Sequence, residues 1–228
     1  MAKSSVLNNI KLPSVDDLFS TEESRANSQR EKVLDIPLSQ ISDFPNHPFK
    51  VKADEAMLEM ADSVKQYGVL VPGLVRLKAD GGYEMVAGHR RKKASELAGK
   101  ETMPCIVRDL NDDEAIIIMV DSNLQRDSIS PSEKAFAYKM KLEAMNRQGQ
   151  RTDLTCSQLG NKSDGKKSSE ILAEQMGESK NQIFRYIRLT ELSPAILEMV
   201  DEKQIAFNPA VELSYLPRIG ELVQGHCG

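Results

Sequence analysis

The sequence predicts an α+β domain followed by an all-α unit, and three observations predict it. Between residues 33 and 126, short β-branched or alternating runs interleave with segments of helical period, bounded by Gly, Pro and Asn. After Arg126 the apolar pattern is helical throughout. The 228 residues are 40% apolar and 28% charged, enough for one or two cores and unlike a fibre or a mainly disordered chain.

The elements follow in order. Residues 1–30 are rich in Ser, Asn, Glu and Lys and read as a flexible tail, within which Leu12, Val15, Leu18 and Phe19 have the helical spacing of a segment that folds on a partner. The α+β block is placed at residues 31–126. Residues 33–36 read as a strand and residues 44–48 as a rigid loop. Residues 54–67 carry Met57, Met60, Ala61 and Val64 on one face and stop at Gly68, a helix with a Gly end. Residues 69–77 read as a strand interrupted at Pro72-Gly73, the turn Ala79-Asp80-Gly81-Gly82 leads into a strand over 83–87, and residues 89–98 form a helix up to Gly99. A strand over 103–107 and a capping box at Asn111-Glu114, opening a helix through Val120, complete the block.

The helical unit is placed at residues 127–217. Ser130-Pro131-Ser132-Glu133 is a capping box with Pro at the first helical position, and the helix it opens is expected to end at Gly149. Residues 151–167 are polar, with Gly160 and Gly165, and read as a loop. Short helices follow at 169–176 and 180–190, with further starts at Ser193-Pro194 and Asn208-Pro209 and a short tail over 218–228.

Composition narrows the function classes. The net charge is -4, so only local clustering of bases can argue for nucleic acid. Aromatics make up 5% and Trp is absent, which argues against a single-strand stacking platform. The longest apolar run, residues 115–120, is far short of the ~20 residues of a membrane span, and no signal peptide is recognisable, so a cytoplasmic protein is expected. Cys105, Cys156 and Cys227 are odd in number and far apart and read as free thiols.

Three motifs carry chemistry. Residues 171–187 have the spacing of a helix-turn-helix: small Ala173 allows close approach, Gly177 turns the chain, and Ile183 and Ile187 hold the second helix to the core. Ser179 caps that helix, Lys180, Asn181, Gln182 and Arg185 are residue types that read base edges, and Lys166, Lys167 and Arg188 suit phosphates. The bland alternative is a helical hairpin with a solvated face. Gly88-His89-Arg90-Arg91-Lys92-Lys93 places a Gly and a basic run at a strand-to-helix junction, where amides and guanidinium groups attract phosphate, although such a run also suits a solvated face or a DNA backbone. No Walker A sequence occurs. Asp121-Ser122-Asn123-Leu124-Gln125-Arg126 offers an Asn amide oxygen for a hard cation and an Arg for a phosphate, or merely a helix end with a basic cap.

Residues 68–76, residues 88–94, Asn123-Leu124-Gln125-Arg126 with Pro131 five residues on, and the helix-turn-helix together resemble the ParB family, the centromere-binding partition proteins of bacterial chromosomes and plasmids. The resemblance covers residues 33–216. It implies a ParB-like nucleotide-binding α+β domain followed by an all-α helix-turn-helix DNA-binding domain. It further implies a palindromic centromere-like site in double-stranded DNA, CTP with Mg2+, a homodimer that closes as a sliding clamp, and a ParA-type ATPase docking on the N-terminal tail. By residue matching the nucleotide site is expected at Gly68, Pro72, Arg76, Gly88, His89, Arg90, Arg91, Asn123 and Arg126, with Asn123 holding the metal. No membrane partner is implied.

The chain departs from the family pattern. His89 stands where many members carry Glu, Ser122 where they carry the Glu before Asn, and Val71 where they carry Gln. Loss of two carboxylates at the phosphate end leaves at most a weak CTPase in expectation, and Asp121, one residue along the helix and about 100° round it, is poorly placed to substitute. His89 reads as a lone exposed histidine without pH sensitivity. The family's C-terminal dimerisation domain is not recognisable after Leu216, so the expectation is a truncated chain or dimerisation through the N-terminal domain. Two rivals remain: a helix-turn-helix transcriptional repressor that uses no nucleotide, and an enzyme. Against the enzyme, no paired carboxylates, His cluster or activated nucleophile adjoin the basic motif.

Overall fold

The computed structural model describes residues 32–51, 54–126, 129–155 and 167–216. Five strands, β1 (Val33–Pro37), β2 (Ile41–Ser42), β3 (Gly73–Leu77), β4 (Tyr83–Ala87) and β5 (Thr102–Val107), form one mixed sheet in the order β1-β5-β3-β4-β2. β1 runs antiparallel to β5, β3 parallel to β5 and antiparallel to β4, and β2 parallel to β4. The β3–β4 hairpin turns at Gly81 and Gly82, both at positive φ, where only Gly is at ease.

The period-two alternation gives the sheet two apolar faces. Val75, Met85, Met103 and Cys105 join Ile36 and Ile41 on one face. On the other, Leu74 and Val86 meet Phe44 and Phe49 and the buried side of helix α3 (Asp112–Leu124). Helices α1 (Glu55–Tyr67) and α2 (His89–Leu97) pack on each other through Met57, Ala61, Val64 and Ala94. Asp54 caps α1 by accepting from Met57 N, and Gly68 at φ 76 ends it. The capping box at Asn111 and Glu114 is formed as the sequence predicts.

The remaining helices surround α4 (Pro131–Thr155), whose first turn is fixed by reciprocal bonds between Ser130 and Glu133. One side of α4 places Ala137 and Met140 against the α3 cluster. Its other side meets α5 (Ser168–Met176), α6 (Lys180–Leu189), α7 (Pro194–Asp201) and α8 (Phe207–Leu213). Tyr138 packs with Leu172, Ala173 and Ile183, and Ala135 with Leu189, Leu197, Val200 and Val211.

Three boundaries differ from the sequence reading. Only residues 73–77 of the expected 69–77 strand pair, because Pro72 lacks a donor and residues 68–72 form a loop with Leu70 and Val71 exposed. α3 runs on to Leu124 rather than Val120, which puts Asn123 in its last turn. Gly149 does not end α4, which continues to Thr155 through part of the expected loop; a single Gly costs about 1 kcal/mol in a helix interior, and 25 residues absorb it. The N-terminal tail, Cys156, Lys166, Cys227 and the segment 218–228 lie outside the described residues. Among the described residues no helix is long and apolar enough to cross a membrane.

Candidate functional site

The site begins at the turn from β4 into α2. Gly88 adopts φ 113, and a Cβ there would stand 3.3 Å from Gly73 Cα and 3.3 Å from Arg91 Nη2. β3, β4 and the start of α2 therefore converge at Gly88 with the Arg91 guanidinium packed against the turn, and a glycine-lined helix start of this kind is a candidate anion cradle. Arg91 reaches back across it, donating from Nη1 to Val71 O and Pro72 O at 2.6 Å each, so it holds the loop opened by Gly68. Burial lowers the Arg91 pKa. Arg90 stands 3.6 Å from Asp54 Oδ1, and its Nε is buried without a partner.

His89 overturns the reading of a lone exposed histidine. It is 7% exposed and lies against His47, with ring centroids 4.0 Å apart. Burial, then the charge of His47, pushes its imidazole down to about 3. Burial lowers His47 as well. Asp43 bonds Lys92 Nζ at 2.6 Å; burial would raise the Asp43 carboxyl, but Lys92 outweighs it and holds it below the ordinary carboxylate value. Arg126 joins this group at the end of α3. Burial lowers its pKa and the like charge of Arg90 lowers it further. Such a pairing of like charges is what a bound anion would relieve. His47 is absent from the sequence-predicted set. It lies 42 residues from His89 in a loop read only as rigid, and no local period links the two.

Asn123 is buried, and its amide nitrogen donates to Met119 O at 2.7 Å, which leaves the amide oxygen as the end suited to a hard cation. Ser122 donates to Met119 O at 2.9 Å. The structure thus brings Gly88, His89, Arg90, Arg91, Arg126 and the Gly68 to Pro72 loop to one neighbourhood, with Asn123 in the final turn of α3 three residues before Arg126. Arg76 is occupied elsewhere. Its guanidinium pairs with Glu84 at 2.6 Å and Asp112 at 2.7 Å and lies over the Phe44 ring, tying β3 to the start of α3.

The two helices of the predicted helix-turn-helix are present, with Gly177 in the left-handed region between them and Ser179 accepting from Gln182 N at 3.2 Å as the cap of α6. Asn181 is exposed, and Gln182 and Lys180 are half-exposed, with Lys180 3.4 Å from Glu170. Lys167 is exposed just before α5. Arg185 donates to Asn208 Oδ1 at 2.7 Å and lies over Phe207. Arg188, expected on a phosphate, instead donates to Ser214 O at 2.8 Å and lies over Tyr215, so it serves to hold the residues after α8.

A mixed sheet with a glycine-lined, arginine-rich turn at the start of one helix, followed by a helical array, defines the class: an α+β fold with several further helices packed after it. Residues 22–124 match the ParB N-terminal domain family. The chromosome-partitioning protein Spo0J of Thermus thermophilus is 34% identical over 184 residues, 81% of this chain and 60% of that protein. The stage 0 sporulation protein J of Bacillus subtilis is 36% identical over 172 residues, 75% of this chain and 54% of that protein. The chain therefore spans little more than half the length of these relatives. Among solved structures, the C-terminally truncated chromosome-partitioning protein ParB of Caulobacter crescentus, complexed to the centromeric parS site, superposes with a TM-score of 0.50 at 23% identity, covering 84% of this chain and 90% of that one. The fold is that of a ParB N-terminal domain, with a mixed sheet and several helices.

Proposed function

We propose that this chain is a partition protein that binds a specific palindromic site in double-stranded DNA through α5 and α6 and is gated, as a homodimeric clamp, by CTP at the start of α2. The observation that carries the nucleotide half is the Gly88 cradle. A Cβ there would press on Gly73 and Arg91, the buried Nε of Arg90 has no partner, and the like charge of Arg90 lowers the pKa of Arg126. These residues fit a triphosphate: α2 amides and Arg90 would hold its oxygens, Arg126 would neutralise charge, and Arg91 would keep the loop at Gly68 and Pro72 closed on the base. Mg2+ would be held with the Asn123 oxygen and would screen the phosphates. The DNA half is supported by a capped α6 that presents Lys180, Asn181, Gln182 and Arg185, with Lys167 at the start of α5. It is also supported by the parS complex of the similarly folded Caulobacter protein. A helical DNA-binding unit, a cytoplasmic setting on the nucleoid and a ParA-type ATPase docking on the N-terminal tail belong to the same reading.

The test is genome-wide occupancy in the host, comparing the native chain with Arg90→Ala. A broad plateau spreading from a few sites, narrowing to sharp peaks in the variant, is expected. Sharp promoter peaks identical in both would mean a repressor without a nucleotide and would overturn the proposal.

A further inference from the structure

Beside the Gly88 cradle two imidazoles are packed together with an unsatisfied nitrogen each. His47 Nδ1 stands 2.7 Å from Phe49 O, an acceptor only, so that nitrogen carries the proton and Nε2 is left with a bare lone pair. His89 lies against it at 4.0 Å between centroids and 51° between planes, and the Nε2 of neither ring has a hydrogen-bond partner. An unsatisfied buried nitrogen is unfavourable, and a ring of this pair that took up a proton would have both a charge and a donor to offer an anion bound beside it.

The surrounding charges explain why that proton is excluded from the ligand-free chain. The loop after β2 contributes Asp43, whose charge is already met by Lys92 of α2 at 2.6 Å. α4 contributes Glu133, whose carboxylate accepts from Lys50 N and Ser130 N. Against them stand Arg126 at the end of α3, Arg90 next to it, and Lys92 and Lys93, with Lys93 and Glu96 lining the same cleft of about 240 Å³ as the two rings. The balance is cationic, and His89 is neutral at any physiological pH. An anion at the start of α2 reverses that balance, because His89 is the first residue of that helix and Arg126 serves both places.

We propose that a triphosphate is bound here together with one proton taken up by the His47–His89 pair, so that nucleotide affinity rises as the pH falls from weakly alkaline to weakly acid. The inference rests on the nucleotide reading above. Linkage fixes its sign: uptake of a proton on binding means tighter binding at lower pH, with a limiting slope of about tenfold per pH unit for one proton. It makes the pair a pH-sensing part of the nucleotide site.

The experiment is calorimetric titration of the full chain with CTP and Mg2+ near pH 6, 7 and 8, in buffers of different ionisation enthalpy, for the native chain, His47→Gln and His89→Gln. The native chain is expected to take up close to one proton and to bind about tenfold more tightly near pH 6 than near pH 8. Both variants should lose the proton uptake and most of that dependence. Protonation of the nucleotide itself is common to all three, so the difference between native chain and variants is what decides. Heats independent of the buffer, or a variant that keeps the native pH slope, would overturn the proposal while leaving nucleotide binding intact. Failure of the native chain to bind CTP at any of the three pH values would overturn the nucleotide reading itself, and this inference with it.

Discussion

At the scale of single residues, the site separates groups that bind from groups that hold. Gly88 belongs to both. Gly88→Ala would place a Cβ 3.3 Å from the Gly73 backbone at φ 113, a region L residues rarely occupy, and is expected to cost about 1–3 kcal/mol of stability as well as nucleotide affinity. Urea unfolding checks the first and CTP titration the second; a variant as stable as the native chain would mean that the turn relaxes freely. His89 gives a prediction with a definite sign. Its imidazole is pushed down to about 3 in the folded chain, from an ordinary value of 6.5, so the unfolded chain binds the proton first on acidification. Stability without ligand is therefore full above about pH 6.5 and falls as the pH drops toward 3, and His89→Gln should flatten that part of the curve. The check is the urea midpoint followed across this range for both proteins. Equal slopes would show that His89 is not the titrating group.

At the scale of elements, caps and periods in the sequence located most of the fold. The Asp54 cap and Gly68 end of α1, the boxes at Asn111 and Ser130, and the Gly177 turn all stand where the residue types place them, because each is a local bond within four residues. What was not legible depends on distant partners. Whether Gly149 breaks α4 is decided by the helix around it, and the fates of Arg76, Arg188 and His89 are set by Glu84, Ser214 and His47, which no spacing rule connects to them. On α6 this separates two arginines that look alike in sequence. Arg185→Ala is expected to weaken specific DNA binding by roughly 1–3 kcal/mol, with a smaller change in the unfolding midpoint than Arg188→Ala because its bond to Asn208 is exposed. Arg188→Ala should do the reverse, lowering stability through the lost Ser214 bond and Tyr215 contact while sparing affinity. A salt-controlled DNA titration beside thermal unfolding tests the pair, and equal losses of affinity would put Arg188 back on a phosphate.

At the scale of the whole molecule, the change from mixed to helical pattern at Arg126 invites a cut there, yet the packing runs across it. Ala137 and Met140 of α4 complete the cluster formed by Val86, Met119 and Val120. Lys141, 1% exposed, bonds Asp121 of α3 at 2.5 Å and Gln175 of α5 at 2.8 Å, and Arg147 bonds Asp113 at 2.7 Å. α3, which carries Asn123 and leads to Arg126, is thus held between the sheet and the helices that would meet DNA. A chain ending at Arg126 would strip one side of α3, leaving apolar Ile116, Met119 and Val120 uncovered and the Asp113 carboxylate without Arg147. It is expected to bind a hydrophobic dye strongly and to unfold at a lower urea concentration, whereas the longer chain unfolds in one step when followed at both far-ultraviolet and aromatic wavelengths. A piece as stable as the parent would mean that α3 is carried by the sheet alone. In that case any signal from the Gly88 cradle to α5 and α6 would have to travel by a route other than the α3–α4 interface, since an element indifferent to its neighbour cannot bias it.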